Sequence, residues 1–401
     1  MVGFDNNRLP RIQDWMQGYV DARRYAGCAA LIAQGGSEVF YHDCGLRDVE
    51  AGLPWQRDTV ARIYSMTKPI TSVAMMILVE RGLVHLDAPV SDFIDGFKNA
   101  RCLIPNASGI DQTEPCAAPT LQQLLTHTSG LSYSFNAGLV PDAMRENKLD
   151  FGPGRRTLAQ SSDELAKLPL AFQPGTRWEY SVGIDIIGRV IEVISGKTLE
   201  DFFKEEILDP LGMRDTRFTV PSESRGRFAA LYTPLAGDSF DLNSAEKSKE
   251  TLRLADGADS SPYFTSHMHS GGGGLVGTID DYLKFTEAMR TGGKGVLSPS
   301  TLGFMMRNHL AGDIASMGPS SFAEQPMNGM GFGIGGAVVL DPARAGVPGS
   351  VGDFSWGGMA STFFWIDPVH DLSAVFFTQL SPSSSYPTRA EFKALVHGAL
   401  L

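Results

Sequence analysis

Ser65 and Lys68 stand at the head of an apolar run, "ARIYSMTKPITSVAMMILVERG" (residues 61–82). A serine hydroxyl is inert near neutral pH unless a neighbouring base takes its proton. A lysine one helical turn away can do so if burial and the helix N-terminus lower its hold on its own proton. The same helix end directs the Ser65 backbone N–H toward a reacting carbonyl, which is half of an oxyanion hole. Ser244 and Lys247 match the spacing too, but inside a polar run with no apolar helix behind them, so context favours Ser65. A third residue stands in "GTRWEYSVGIDIIGRVIEVISG" (175–196), where Tyr180 precedes another apolar helix. A tyrosine near a lysine can pass the proton between serine and leaving group. Read alone, Tyr180 is equally an aromatic burying its ring at an element boundary.

These residues need elements to hold them. Pro69 is tolerated only in a first helical turn, so the helix must begin close to Ser65 and put Ser65 and Lys68 on one face at its positive end. Val73, Met76, Ile77, Val79 and Glu80 carry the helical period, and Gly82 stops it. Upstream, residues 10–22 read as an amphipathic helix, followed by strands "CAALIAQ" and "SEVFYHDCG" joined at Gly35 and Gly36. From Ser65 to about residue 230 strand signals vanish, and 238–262 is polar enough to predict an exposed excursion. Strand patterns return in "GIGGAVVL", "ASTFFWID" and "LSAVFFTQL", before a closing helix in "TRAEFKALVHGALL". The order predicts an α/β fold of α+β type: one antiparallel sheet built from both chain ends and flanked by helices, with a mainly helical domain inserted. The boundaries are 1–75 and 265–401 for the sheet domain and 76–264 for the insertion.

With 43% hydrophobic and 20% charged residues among 401, the chain has the balance of a folded soluble protein. A net charge of -11 argues against nucleic acid or an anionic membrane as the main partner. The start "MVGFDNNRLPRIQDW" shows no signal peptide and no 18-residue apolar run exists, so the expected location is cytoplasmic. There the four cysteines read as reduced packing groups, although Cys28 and Cys44 flank the hairpin turn and could face each other. "GFGIGG" (331–336) leads into a strand, which rules out a dinucleotide loop, and "GGGGLVGT" lacks the ending of a phosphate loop. His267 and His269 would share a strand face without a third metal ligand, and His370 reads as a solvated turn residue. No G-x-S-x-G elbow occurs.

Together these residues give a chain that resembles the serine β-lactamase and penicillin-recognising superfamily, and within it the family VIII carboxylesterases that look like class C β-lactamases. The blocks that carry the resemblance run in order over nearly the full length: "RIYSMTKPITSVAMMILVERG", "LLTHTSGL" (124–131), "YSVGIDIIG", "GGGGLVGTIDDYLKF" and "WGGMASTFFWIDP". The resemblance implies that Ser65 is acylated and that Lys68 and Tyr180 form its proton-transfer pair. It puts the third motif on Trp356, Gly357 and Gly358 at the entry to an edge strand, with the Met359 N–H as second oxyanion donor beside that of Ser65. It implies no metal and no cofactor.

Two departures bear on the substrate. The superfamily's Lys-Thr-Gly or His-x-Gly is replaced at Trp356, so an anionic substrate loses its cation, and the asparagine expected two residues after the tyrosine is replaced by Val182. An apolar wall favours small neutral esters as the small-molecule partner. Losing that cation also leaves either Tyr180 or Lys68 as the resting base. The expected activity is serine carboxylesterase. The rivals are an acyltransferase on the same acyl-enzyme, a weak β-lactamase or D-amino-peptidase, and a non-catalytic relative.

Overall fold

The computed structural model describes residues 3–239, 246–323 and 325–401, so Ser244 lies outside the described residues. Helix α1 (Pro10–Asp21) begins with proline at its first position, where the missing N–H costs nothing. Strands β1 (Gly27–Gln34) and β2 (Ser37–Asp48) form the expected hairpin. Gly35 and Gly36 turn it at φ 59° and 83°, the left-handed angles that a two-residue turn requires. β3 (Leu53–Pro54) adds an edge. Then come α2 (Thr67–Glu80), α3 (Gly183–Ser195) and α4 (Ile279–Arg290). The C-terminal part supplies β4 (Met330–Phe332), β5 (Ala337–Val339), β6 (Phe354–Gly357), β7 (Phe363–Asp367), β8 (Leu372–Thr378) and α5 (Thr388–Gly398).

These strands make one eight-stranded antiparallel sheet in the order β4-β5-β6-β7-β8-β1-β2-β3. The two chain ends meet where β1 pairs with β8, Leu31 opposite Val375. Alternation along β1 explains the layers. Cys28, Ala30 and Ile32 join Ile12 and Met16 of α1 and Phe392 of α5 on one face, whereas Ala29 and Leu31 join the larger core that contains Phe285 of α4. Helix α2 is buried on every side from Thr67 to Leu78 rather than on one face, because α3 and the helical segment 199–208 pack against it. Among the described residues no helix is long and apolar enough to cross a membrane.

Several local expectations need correcting. Short strands do occur in the helical stretch, at Arg101–Leu103 with Thr113–Pro115 and at Leu231–Thr233 with Arg253–Asp256. They are too short to show a period. The last of these lies in the supposed exposed excursion, where Asp256 reaches 2.6 Å from the guanidinium of Arg62, whose side chain is fully buried over the Phe228 ring. A buried cation demands such a partner, so Asp256 is a pairing group within a stretch whose described residues are otherwise mostly exposed, as expected. His267 and His269 lie in a loop, not on a strand: the His267 N–H donates to Gly154 and His269 faces Glu200. Cys28 and Cys44 do sit opposite each other, with sulfurs 3.7 Å apart and both thiols free.

Candidate active site

Ser65 lies in a 3₁₀ turn (Tyr64–Met66) that leads straight into α2. Tyr64 before it has φ 41°, a left-handed conformation that costs a non-glycine residue on the order of 1 kcal/mol and that clusters at active sites. Neighbours hold the turn from several sides. Tyr282 of α4 donates its hydroxyl to the Met66 carbonyl at 2.9 Å, and the Ile63 N–H donates to Leu275 at 3.2 Å.

Lys68 projects from the first turn of α2 and is fully buried. Its Nζ donates to Ser65 Oγ at 3.2 Å, to Tyr133 Oη at 2.9 Å and to the Gly272 carbonyl at 2.7 Å. Three acceptors thus meet the three donors of an ammonium group. Tyr180 donates to Ser65 Oγ at 2.7 Å from the other side, and Lys68 Nζ lies 4.6 Å from the Tyr180 ring centre. Burial first, and then the neighbouring Tyr180, push the Tyr133 phenol well above its ordinary pKa, so it stays a neutral hydroxyl.

Behind Lys68 stands Asp185, fully enclosed in the first turn of α3. Burial raises its pKa, while the Lys68 charge, Ser270 and the Gly272 N–H favour the carboxylate. Ser270 Oγ donates to it at 2.5 Å and the Gly272 N–H at 2.9 Å. His127 backs Tyr180, ring centres 4.7 Å apart, and its Nδ1 accepts the Ser181 N–H at 3.2 Å. Complete burial holds this imidazole well below its ordinary pKa, hence neutral.

The third motif reaches the site in an altered setting. Trp356 and Gly357 end β6, which is not an edge strand, since β5 and β4 lie outside it. The β5 ladder covers Phe354 and Ser355 only, so Trp356 and Gly357 pair toward β7 and run on beyond β5. A tight turn follows, with the Gly358 N–H donating to Thr362 at 2.7 Å. A Cβ on Gly358 would stand 2.3 Å from the Ile63 carbonyl, so only glycine lets this turn press against the segment carrying Ser65.

Ser65, Tyr180, Trp356, Gly357, Gly358 and Met359 all line one cavity of about 1080 Å³. Val182 does not line it: the side chain is fully buried and belongs to the core. Nor is the wall purely apolar. Asn136 supplies an amide there, its Nδ2 donating to the Tyr180 carbonyl at 3.0 Å. Arg389 of α5 lies against Gly357, where an added Cβ would come within 2.6 Å of its Nη2, and its Nη1 donates to Ala323 at 3.1 Å. Trp356, Phe322 and Tyr180 form the apolar part, with the first two rings stacked at 6.0 Å.

Sequence reasoning missed Tyr133, Asp185 and Asn136. Asp185 carried a usable signal, as the one carboxylate in "VGIDIIG" ahead of an apolar helix. Tyr133 and Asn136 follow "LLTHTSGL" in a loop, and no periodicity marks them.

The likeness to known proteins extends over the whole arrangement. A family model described as Beta-lactamase matches residues 12–398. Protein Rv1367c of Mycobacterium tuberculosis is 34% identical over 380 residues, covering 92% of this chain and 90% of that protein. Esterase EstB of Burkholderia gladioli is 35% identical over 366 residues, covering 89% and 86%. The solved structure described as EstCE1, a hydrolase with promiscuous acyltransferase activity, superposes with a TM-score of 0.81 at 28% identity, covering 98% of this chain and 99% of its own. The chain belongs to the Beta-lactamase family, as a serine hydrolase.

Proposed function

We propose that this protein is a cytoplasmic serine carboxylesterase that hydrolyses small neutral esters through an acyl-enzyme on Ser65. The observation that carries the reading is Ser65 Oγ held between Lys68 Nζ at 3.2 Å and Tyr180 Oη at 2.7 Å, facing a cavity with Trp356, Phe322 and Tyr180 in its wall. In the reactive state the pair holds one proton fewer, with Lys68 as the amine or Tyr180 as the phenolate, and Ser65 Oγ attacks the ester carbonyl while its proton fills that place. The oxyanion that forms is met by the backbone N–H groups of Ser65 and Met359, each worth about 3 kcal/mol in the barrier. Tyr180 gives the proton to the departing alkoxide, leaving the acyl group on Ser65. Water then attacks the acyl-enzyme, loses a proton to the same pair, and returns Ser65 as the free alcohol with release of the acid. The identity with an esterase over most of both chains supports ester over amide chemistry.

Acyl transfer to an alcohol is the second reading. A cavity of about 1080 Å³ has room for an acceptor beside the acyl group, and EstCE1 is described as having promiscuous acyltransferase activity. The test is mass spectrometry after brief mixing with p-nitrophenyl butyrate, comparing wild type with Ser65→Ala, with and without added alcohols. A butyryl adduct on Ser65, and turnover lost in the variant, is the expected result. Unchanged nitrophenol release by Ser65→Ala would overturn the reading, and butyrate esters of the added alcohols as the main product would favour transfer.

A further inference from the structure

The last helix meets the far end of the sheet in a cluster that the ester chemistry does not use. Asp367, at the end of β7, is fully buried. Its Oδ1 accepts the N–H groups of Val369 at 2.9 Å and His370 at 3.0 Å. That fixes Oδ2, which accepts from Ser350 Oγ at 2.8 Å and lies 2.8 Å from His370 Nδ1. His370 is therefore a bonded, half-buried residue and not the solvated one its turn position predicts. From the last turn of α5, His397 brings Nε2 to 3.9 Å from the same oxygen. The His397 side chain is only 7% exposed, and Nε2 has no hydrogen-bond partner. On β7 the third motif pairs with Phe363, whereas Asp367 pairs with Leu372. Four strand residues, about 13 Å, therefore separate the cluster from the motif.

A separation of 3.9 Å is too long for a hydrogen bond, so the buried His397 Nε2 has no protein partner. The three side-chain atoms lie within 4.8 Å of one another. A tetrahedral zinc ion bound at about 2.0–2.1 Å spaces its ligand atoms about 3.3 Å apart. The observed 2.8 and 3.9 Å from Asp367 Oδ2 bracket that value, each within about 0.6 Å of it, and the two histidine nitrogens lie within 4.8 Å of each other. We propose that Asp367 Oδ2, His370 Nδ1 and His397 Nε2 form a structural site for a divalent transition-metal ion of the zinc type, with water or Ser350 Oγ in the fourth position.

Two imidazoles and one carboxylate suit zinc better than magnesium or calcium, which take oxygen ligands. The charges around the site permit a cation. Lys393, one turn before His397, is held by Asp353 at 2.6 Å, so two buried carboxylates stand against one ammonium. On binding, the proton that His370 Nδ1 shares with Asp367 moves to Nε2 of a neutral ring, or leaves to solvent from an imidazolium. His397 binds through the Nε2 lone pair with its proton on Nδ1. The ion would pin α5 to the turn joining β7 and β8.

The test uses the full chain, freed of metal with EDTA and titrated with zinc chloride by calorimetry. We expect about one ion per chain, a thermal midpoint raised by several degrees at saturating zinc, and binding weakened roughly tenfold or more in His397→Ala and in His370→Ala. Ester hydrolysis by both variants should remain, which shows that they fold. No uptake by the wild type, or uptake that survives in His397→Ala, would overturn the proposal. If the variants do not fold, cobalt decides on the wild type. Visible bands of a low-coordinate nitrogen and oxygen site without a thiolate charge-transfer band uphold the site, whereas a thiolate band would move the metal to Cys28 and Cys44.

Discussion

Tyr133→Phe removes one atom from the heart of the site. Tyr133 Oη accepts from Lys68 Nζ at 2.9 Å inside a fully buried pocket, and the other two acceptors of that amine are Ser65 Oγ and the Gly272 carbonyl. A phenylalanine keeps the ring between Phe135, 4.7 Å away, and Tyr180, 5.0 Å away, so packing survives. One Lys68 donor then points at nothing. A hydrogen bond to a charged group is worth about 1.5–3 kcal/mol when one side is deleted. If Lys68 must be held in place to exchange a proton with Ser65, kcat/KM falls by about 10- to 150-fold.

The assay is steady-state hydrolysis of p-nitrophenyl butyrate, with a thermal melt to confirm folding. Two results refute the reasoning. A loss under about threefold would mean that the contact does not position Lys68 in the reaction. A loss as large as that of Ser65→Ala would mean that Tyr133 itself carries the proton, and Tyr180 would then need another role.

Three further perturbations test other parts of the arrangement. Gly358→Ala puts a methyl 2.3 Å from the Ile63 carbonyl and 2.4 Å from Thr362 Oγ1, so the turn must move. With one oxyanion donor displaced, kcat should fall about 10²- to 10³-fold with little change in KM, and an unchanged kcat would remove Met359 from that role. Asp185→Ala leaves Ser270 Oγ and the Gly272 N–H without their acceptor and strips Lys68 of its buried counter-charge, so urea denaturation should show a loss of about 3–5 kcal/mol. His127 is buried as a neutral ring whose pKa lies well below the ordinary value, so the unfolded chain binds a proton that the native state refuses. Stability therefore falls as pH drops below about 6.5. Between pH 7 and 5 wild type should lose about 2 kcal/mol more than His127→Gln, read from urea midpoints.

How far the sequence carried the structure depends on the length of the pattern. The hairpin at Gly35 and Gly36 and helix α3 show a period over eight or more residues, and both are where the text puts them. β4 runs three residues, too short for a period, whereas β5 falls within the predicted "GIGGAVVL" run. The edge position of β6 was an expectation of the resemblance, and β5 and β4 outside it overturn that expectation. The Ser65, Lys68 and Tyr180 set was legible because each stands at a helix start, where polarity conflicts with an apolar run. Arg389 was not, because it reaches the site from a closing helix whose alternation reads as ordinary amphipathicity. Val182 failed for the opposite reason: matching a position in a motif says nothing about which way the side chain points, and just before α3 it points into the core.

The glycine run that looked like a failed phosphate loop has a physical use. A Cβ on Gly272 would stand 2.1 Å from Asp185 Oδ2, so no other residue lets the carboxylate approach. Because it does approach, one peptide unit serves two charges: the Gly272 N–H donates to Asp185 and its carbonyl accepts from Lys68. Next to it the Gly271 carbonyl accepts from Thr71, one turn further along α2. The backbone of this loop thus stands between a buried anion on α3 and a buried cation on α2, with both held by hydrogen bonds in a medium of low dielectric. Freedom lost by Lys68 in folding need not be lost again when an ester arrives. The strained Tyr64, the pressed Gly358 turn and this loop act alike, since each fixes a polar group at the site through a backbone contact that tolerates no side chain or pays in strain. It follows that glycines with no chemistry of their own place the polar groups of the candidate site, and that Gly272 touches Lys68 as directly as Ser65 does.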